Sequence, residues 1–330
     1  MPAFLTHYAC GIQGYHHMRS GAVKSSVRSY THAYNMGLAG PDLFFYSAVE
    51  LLSPGMTIGR IMHKYRTGAF LRNLYEESIR KEGEERKIAL AYFTGFLGHY
   101  CLDSRTHAFI YRVCDVPDTR EALGKHFRFE AAMDAFCCRS ILDRSINKSH
   151  QMGLIRLSRK EKSVIARLLA DVIRKTYPDA DGTPGKLRLK LILHEYFLIS
   201  GLLMDPTGIK EWIFCGLEKI VPGYPMASPL FINANHYGLQ EKDWKRFYIR
   251  YKRGLEAFNA LTDSLESSLE NENADDFFKQ IRSWSYHGFF NTDAASELPL
   301  KQLHAFQMYR PGSLRHVWEQ MDHGVNKEDY

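Results

Sequence analysis

The chain has 330 residues, 45% hydrophobic and 24% charged, an ordinary globular composition long enough for one large domain or two small ones. Its net charge of +6 is dispersed, which suits anionic substrates or membrane surfaces without marking a nucleic-acid binder. No run reaches the ~18 apolar residues of a membrane span, and the N-terminus lacks a basic segment followed by an apolar stretch. The six cysteines form no CxxC pair, so buried free thiols in a cytoplasmic protein are expected.

Almost every segment reads helical, and alternating strand patterns are nearly absent, so the expected fold class is all-α. A helix is predicted over residues 23–36, stopped at Gly37, with Gly40-Pro41 as punctuation. Asp42 then stands where an N-cap belongs. Further helices are predicted over 57–80, 86–114 and 119–146. Ser158 and Glu161 have the capping-box spacing that starts a helix reaching about residue 177. The loop 178–185 precedes an apolar helix over 187–204 and another to about 221. The stretch 222–235 holds three prolines and is the expected boundary between a domain over 1–235 and a helical extension over 236–330 packed on it. That extension reads as helices over 242–270 and 275–286.

The central stretch carries His99, Asp103 and His107 as H-x3-D-x3-H in a proline-free apolar run. Positions four apart lie on nearly the same helical face, roughly 6 Å apart along the axis. Such a stripe can hold one metal ion between the first two side chains and begin a second at the third, with the carboxylate bridging. The alternative is a set of hydrogen-bonded core residues. His126 and Glu130 form H-x3-E on the next helix, and Asp134 on the same face is an expected acceptor for an imidazole N–H. His7, Asp42 and His63, taken singly, read as a solvated imidazole, an N-cap and a partly buried histidine with one hydrogen bond.

Taken together, the order His, Asp, His, H-x3-D, His, H-x3-E resembles the zinc-dependent phospholipase C family. The stretches GPDLFFY and GFLGHYCLDSRTH look like its bacterial members, and the likeness spans roughly residues 1–250. The resemblance implies an all-helical fold with zinc held between helices. One zinc would take Asp42, His63, His99 and Asp103, and a second His107, His126 and Glu130. A third would take His7 and share Asp103. Asp42 would also be the general base. Three features depart from the family. Met1-Pro2 stands where secreted members present a mature N-terminal Trp, Asp103 and His107 are closer than usual, and the C-terminal part reads helical where the toxins carry a β-sandwich.

Imidazole and carboxylate ligands suit Zn²⁺, with iron or manganese as alternatives. The expected activity is a metallo-phosphodiesterase acting on a phospholipid or a smaller phosphate ester. The alternatives are a nuclease or nucleotidase on the same fold, which would require aromatic stacking platforms, and a non-catalytic helical scaffold. Lys64 and Arg66 could neighbour a phosphate, though a solvated helix face is the favoured reading, and His16 and His17 could line the site mouth but are expected at the surface. His32 is expected near Asp42 or in the core. His194-Glu195 lacks the second histidine of a zincin helix.

Overall fold

The computed structural model describes residues 4–47, 57–114, 120–180, 182–220, 231, 241–281 and 284–286, and among them no extended strand occurs. The chain runs through α1 (Phe4–His17), α2 (Ala22–Ser29), α3 (Thr31–Gly37) and a 3-10 segment (Gly40–Tyr46). It continues through α4 (Ile58–Lys64), α5 (Thr67–Ile79), α6 (Gly83–Cys114), α7 (Arg120–Ser140), α8 (Gln151–Leu154) and α9 (Arg159–Thr176). The remaining helices are α10 (Lys186–Leu203), α11 (Ile209–Ile220), α12 (Glu241–Glu270) and α13 (Asp275–Gln280). The fold class is all-α. Apart from Phe231, the boundary expected at 222–235 lies outside the described residues, as do the last 30 residues.

The 32-residue α6 is the axis of the molecule, about 48 Å long. It is buried on every side from Ile88 to Asp103, the pattern of a helix enclosed by others. α1, α2, α3, α5, α7, α9 and α12 all lean on it. The long C-terminal α12 lies along α6 and also touches α1 and α2.

The closest crossing is between α3 and α6, where two glycines let the backbones meet. A Cβ on Gly37 would fall 2.1 Å from the Tyr92 carbonyl oxygen, and one on Gly95 would fall 2.0 Å from that of Tyr34. Gly40 has a left-handed backbone (φ +53°), and a Cβ there would strike the His99 ring. The glycine therefore turns the chain and brings the segment carrying Asp42 against His99.

Four predicted helices differ from the observed ones. The helix over 23–36 is broken at Tyr30 (φ −129°, ψ 53°), so that α2 and α3 each lean on α6. The helix over 57–80 is broken at Arg66, whose left-handed backbone (φ 53°) separates α4 from α5. Its guanidinium donates to the Thr176 carbonyl (3.0 Å) and to Asp179 (2.7 Å), so Arg66 is a buried tie between helices rather than a solvated charge. α7 ends at Ser140, beyond which Asp143 adopts a left-handed conformation, and a separate 3-10 turn covers Ile146–Lys148. The final helix stops at Gln280 because the backbone beyond it bonds to other elements. Ile281 accepts from Arg72, the Trp284 carbonyl accepts from the Thr67 hydroxyl (2.6 Å), and the Tyr286 N–H donates to the His63 carbonyl (3.0 Å). The capping box at Ser158 and Glu161 is present as read.

Replacing Gly95 with Ala must push α3 and α6 apart, so it should destabilise the protein by about 2 kcal/mol or more. Gly216→Ala on α11, where an added Cβ meets nothing, should be neutral or slightly stabilising. Thermal denaturation followed by circular dichroism distinguishes them, and equal melting points would contradict the crossing.

Candidate metal centre

All eight residues singled out by the sequence are buried, and the fold brings them together from five elements. α1 supplies His7, the 3-10 segment Asp42, α4 His63, α6 His99, Asp103 and His107, and α7 His126 and Glu130. Asp103 lies at the middle. Its Oδ1 is 3.1 Å from His7 Nε2 and 3.2 Å from His107 Nδ1, and its Oδ2 is 3.0 Å from His99 Nε2. On one side, His63 Nε2 lies 2.9 Å from Asp42 Oδ1. On the other, Glu130 Oε1 lies 3.0 Å from His126 Nε2 and 3.4 Å from His107 Nε2.

Two backbone carbonyls fix the imidazole tautomers. His99 Nδ1–H donates to the Leu38 carbonyl (3.0 Å) and His63 Nδ1–H to the Gly59 carbonyl (2.7 Å). In the neutral rings each Nε2 then carries a lone pair, aimed at Asp103 in one case and Asp42 in the other. Lone pair faces lone pair, so a cation or an additional proton must lie between them. His99 Nε2 and Asp103 Oδ2 make no hydrogen bond of acceptable geometry, and His7 Nδ1, His126 Nδ1 and Glu130 Oε2 are likewise buried without a partner.

Protons alone are a poor solution. His7 and His99 are stacked with ring centroids 4.1 Å apart, and two imidazolium rings there would repel one another. Metal ions fit the donors better. Ligand atoms of Asp42, His63, His99 and Asp103 all lie within 4.8 Å of one another, as do those of His107, His126 and Glu130. Two ligands of one tetrahedral zinc, each at ~2.1 Å, stand ~3.4 Å apart. The donor chemistry, the orphaned atoms and the spacing fit divalent zinc.

Several side chains differ from the sequence reading. Asp42 makes no cap hydrogen bond; it sits within the 3-10 turn and faces His63. His7 is buried rather than solvated. Asp134 accepts no imidazole N–H. Its carboxylate instead takes the Thr6 N–H (2.8 Å), the Thr6 hydroxyl (2.7 Å) and the Leu5 N–H (3.3 Å), holding the first turn of α1 so that His7 faces Asp103. His32 is exposed rather than near Asp42, because the break at Tyr30 places it on the outer face of α3. His16 and His17 are exposed, with His17 on Asp263, and His194 is exposed on α10.

The sequence reading passed over the aromatic walls. Tyr111 stacks on His126 with centroids 5.5 Å apart, and it continues the period-four series 99, 103, 107, which could have signalled it. Tyr286 lies against His63 and His99 with centroids 5.3 and 5.5 Å away. It arrives from the far end of the chain and carried no local signal.

The electrostatics follow from this crowding. Burial would raise the Asp103 carboxyl, but His107, His99 and His7 outweigh it and hold Asp103 well below the usual range. Burial likewise opposes, and His126 and His107 overcome, in drawing Glu130 down. For His107 burial acts downward, yet Asp103 and Glu130 raise it well above an ordinary histidine. A carboxylate with a lowered folded pKa stabilises above its unfolded value, and a histidine with a raised one stabilises below its own. In the zinc-free protein the contribution of Asp103, Glu130 and His107 should therefore be fullest between about pH 4.3 and 6.5 and fall as pH rises through the His107 value. Asp134, whose carboxyl burial holds well above the usual range, adds a further loss as pH rises above about 4. The zinc-loaded protein should show the opposite slope above about pH 6, because deprotonated imidazoles favour the ion. Melting curves of both forms across this range test the point, and parallel slopes would contradict a metal centre.

The sequence model of the zinc-dependent phospholipase C family matches residues 6–178, just over half of the 330-residue chain. All eight site candidates fall within that stretch. No curated protein matches the chain, and no solved structure does. With the helical fold and these donor clusters in place, the match assigns the protein to a family: the chain belongs to the zinc-dependent phospholipase C family.

Proposed function

We propose that the protein is a zinc-dependent phosphoric ester hydrolase, a phospholipase C-like phosphodiesterase. The observation that carries this reading is the confrontation of imidazole and carboxylate lone pairs around buried Asp103. A non-catalytic scaffold gains nothing from burying three imidazoles on one carboxylate and leaving donors unsatisfied.

One zinc would be held by Asp42, His63, His99 and Asp103 and another by His107, His126 and Glu130, with His7 and Asp103 available to a third. When bound, such ions neutralise a phosphate diester and lower the pKa of water into the neutral range. The protein's part is to orient and to exclude solvent. Leu38 and Gly59 carbonyls hold the tautomers of His99 and His63, and Asp134 fixes the turn that carries His7. Phe45 covers one face of His63, with centroids 4.7 Å apart, and Tyr286 stands against it as well.

Asp42 is the proposed general base. It is the least buried of the eight residues, so it borders the side from which water and substrate arrive. Burial alone would raise its pKa, but His99 and His63 bring the carboxyl below its ordinary value. It is therefore ionised at neutral pH and able to accept a proton from attacking water.

The purified, untagged protein should contain ~2–3 equivalents of zinc by elemental analysis, and Asp103→Asn should lower that content. The same variant should cut kcat/KM on phosphodiester and phosphocholine esters by at least about 100-fold. Absence of metal after reconstitution with zinc, iron or manganese would contradict the reading. Cleavage of nucleic acid in preference to lipid-type esters would move the substrate class instead.

A further inference from the structure

We propose that α11 is an interfacial helix that docks the protein onto an anionic phospholipid surface. None of its twelve residues is buried, and four of its apolar residues are exposed while Phe214, Cys215 and Leu217 are half-buried. Trp212 is 76% exposed, Ile220 78%, Ile209 57% and Ile213 46%. At about 100° per residue these four fall within one arc of about 100°. Lys210 and Lys219 flank that arc on its two sides, while Glu211 and Glu218 lie on the opposite side of the helix. An apolar face with Lys219 at its outer edge and its acids turned away complements a negatively charged membrane surface, while the Lys210 ammonium on the other flank is folded back onto α10 carbonyls. Trp212 stands at the edge of this face beside Lys219, a position suited to the boundary between headgroups and acyl chains.

The helix is held in this orientation by its inner side. Asp205 is buried and accepts the Glu211 N–H (2.9 Å). The Lys210 ammonium donates to the Leu202 and Met204 carbonyls (2.8 Å each), tying α11 to the end of α10. Phe214 meets Phe231 with centroids 4.9 Å apart. At twelve residues, about 18 Å, the helix is too short to cross a bilayer, and no described helix is long and apolar enough to do so. A bilayer contact of this helix would therefore lie in the interface.

The surface connects to the metal centre through α10. The buried face of α10 carries Tyr196, whose ring meets Tyr46 edge-on at 4.9 Å in the same 3-10 segment that holds Asp42. Its outer face presents Leu198 (50% exposed) and Leu202 (62%) toward the start of α11. A lipid surface touching α11 would thus be one helix removed from the site. The docking stands on α11 itself and extends the phosphodiesterase reading by naming where its substrate lies.

The test uses the full-length zinc-loaded protein, sedimented with phosphatidylcholine vesicles with and without phosphatidylserine. Wild type should bind the anionic vesicles, and Trp212→Ser combined with Ile213→Ser should weaken binding at least roughly tenfold. Brominated lipid should quench a fluorescence component that Trp212→Phe lacks. The double variant should keep wild-type hydrolysis of a water-soluble phosphodiester and an unchanged melting point, since both residues are exposed. Wild-type failure to bind either vesicle, or equal binding by the variant, overturns the proposal. So does a concentration-dependent dimer that the double variant abolishes, which would assign the face to a second copy of the chain. Vesicle binding with no hydrolysis of any ester would uphold the docking and remove the phosphodiesterase reading.

Discussion

A single buried carboxylate, Asp103, is shared by three imidazoles from two helices, and the centre of the molecule is arranged around that crowding. A charge removed from water needs compensation, and between them Asp103 and Glu130, two buried carboxylates, draw the His107 imidazole well above its ordinary value. A bound cation would also satisfy the Nε2 of His99, whereas protonating His7 and His99 together would place charge on two rings stacked at 4.1 Å. The interaction that makes the core costly without a cation is thus the one that makes it a candidate metal site. Stability and chemistry depend on the same group.

The remaining structure fixes the directions of the ligands. Period-four spacing on α6 aligns His99, Asp103 and His107, but the other side chains need tertiary placement. Gly40 permits the turn that sets Asp42 beside His99, and the crossing at Gly37 and Gly95 brings the preceding helix close enough for Leu38 to accept from His99. Asp134 secures α1 at its first turn, and residues Ile281, Trp284 and Tyr286 are fastened by their backbones to α4 and α5. Tyr286 contributes a wall to a centre otherwise built within the first 130 residues. The C-terminal part is therefore structurally involved with the site.

Much of the clustering was legible because the candidate ligands have chemically distinct side chains at helical spacing. His99, Asp103 and His107 declared themselves by period, and His126 with Glu130 by the same rule. Grouping His7, Asp42 and His63 with them required the family order, since each alone had an ordinary explanation. The helical class was readable from pattern. The breaks at Tyr30 and Arg66 were not, because they depend on which helix each segment leans against. Asp134 was misassigned for a similar reason: its place on the helix face was right, but the N–H groups it satisfies lie 128 residues away at Thr6. Carbonyl acceptors such as Leu38 and Gly59 leave no mark on a sequence.

The central claim is that Asp103 lies between metal ions, and anomalous diffraction measured on both sides of the zinc edge tests it most directly. Crystals of the purified protein should show one zinc peak among Asp42, His63, His99 and Asp103 and a second among His107, His126 and Glu130. A centre without anomalous density in zinc-reconstituted crystals, with Asp103 hydrogen-bonded to protonated imidazoles, would contradict the account.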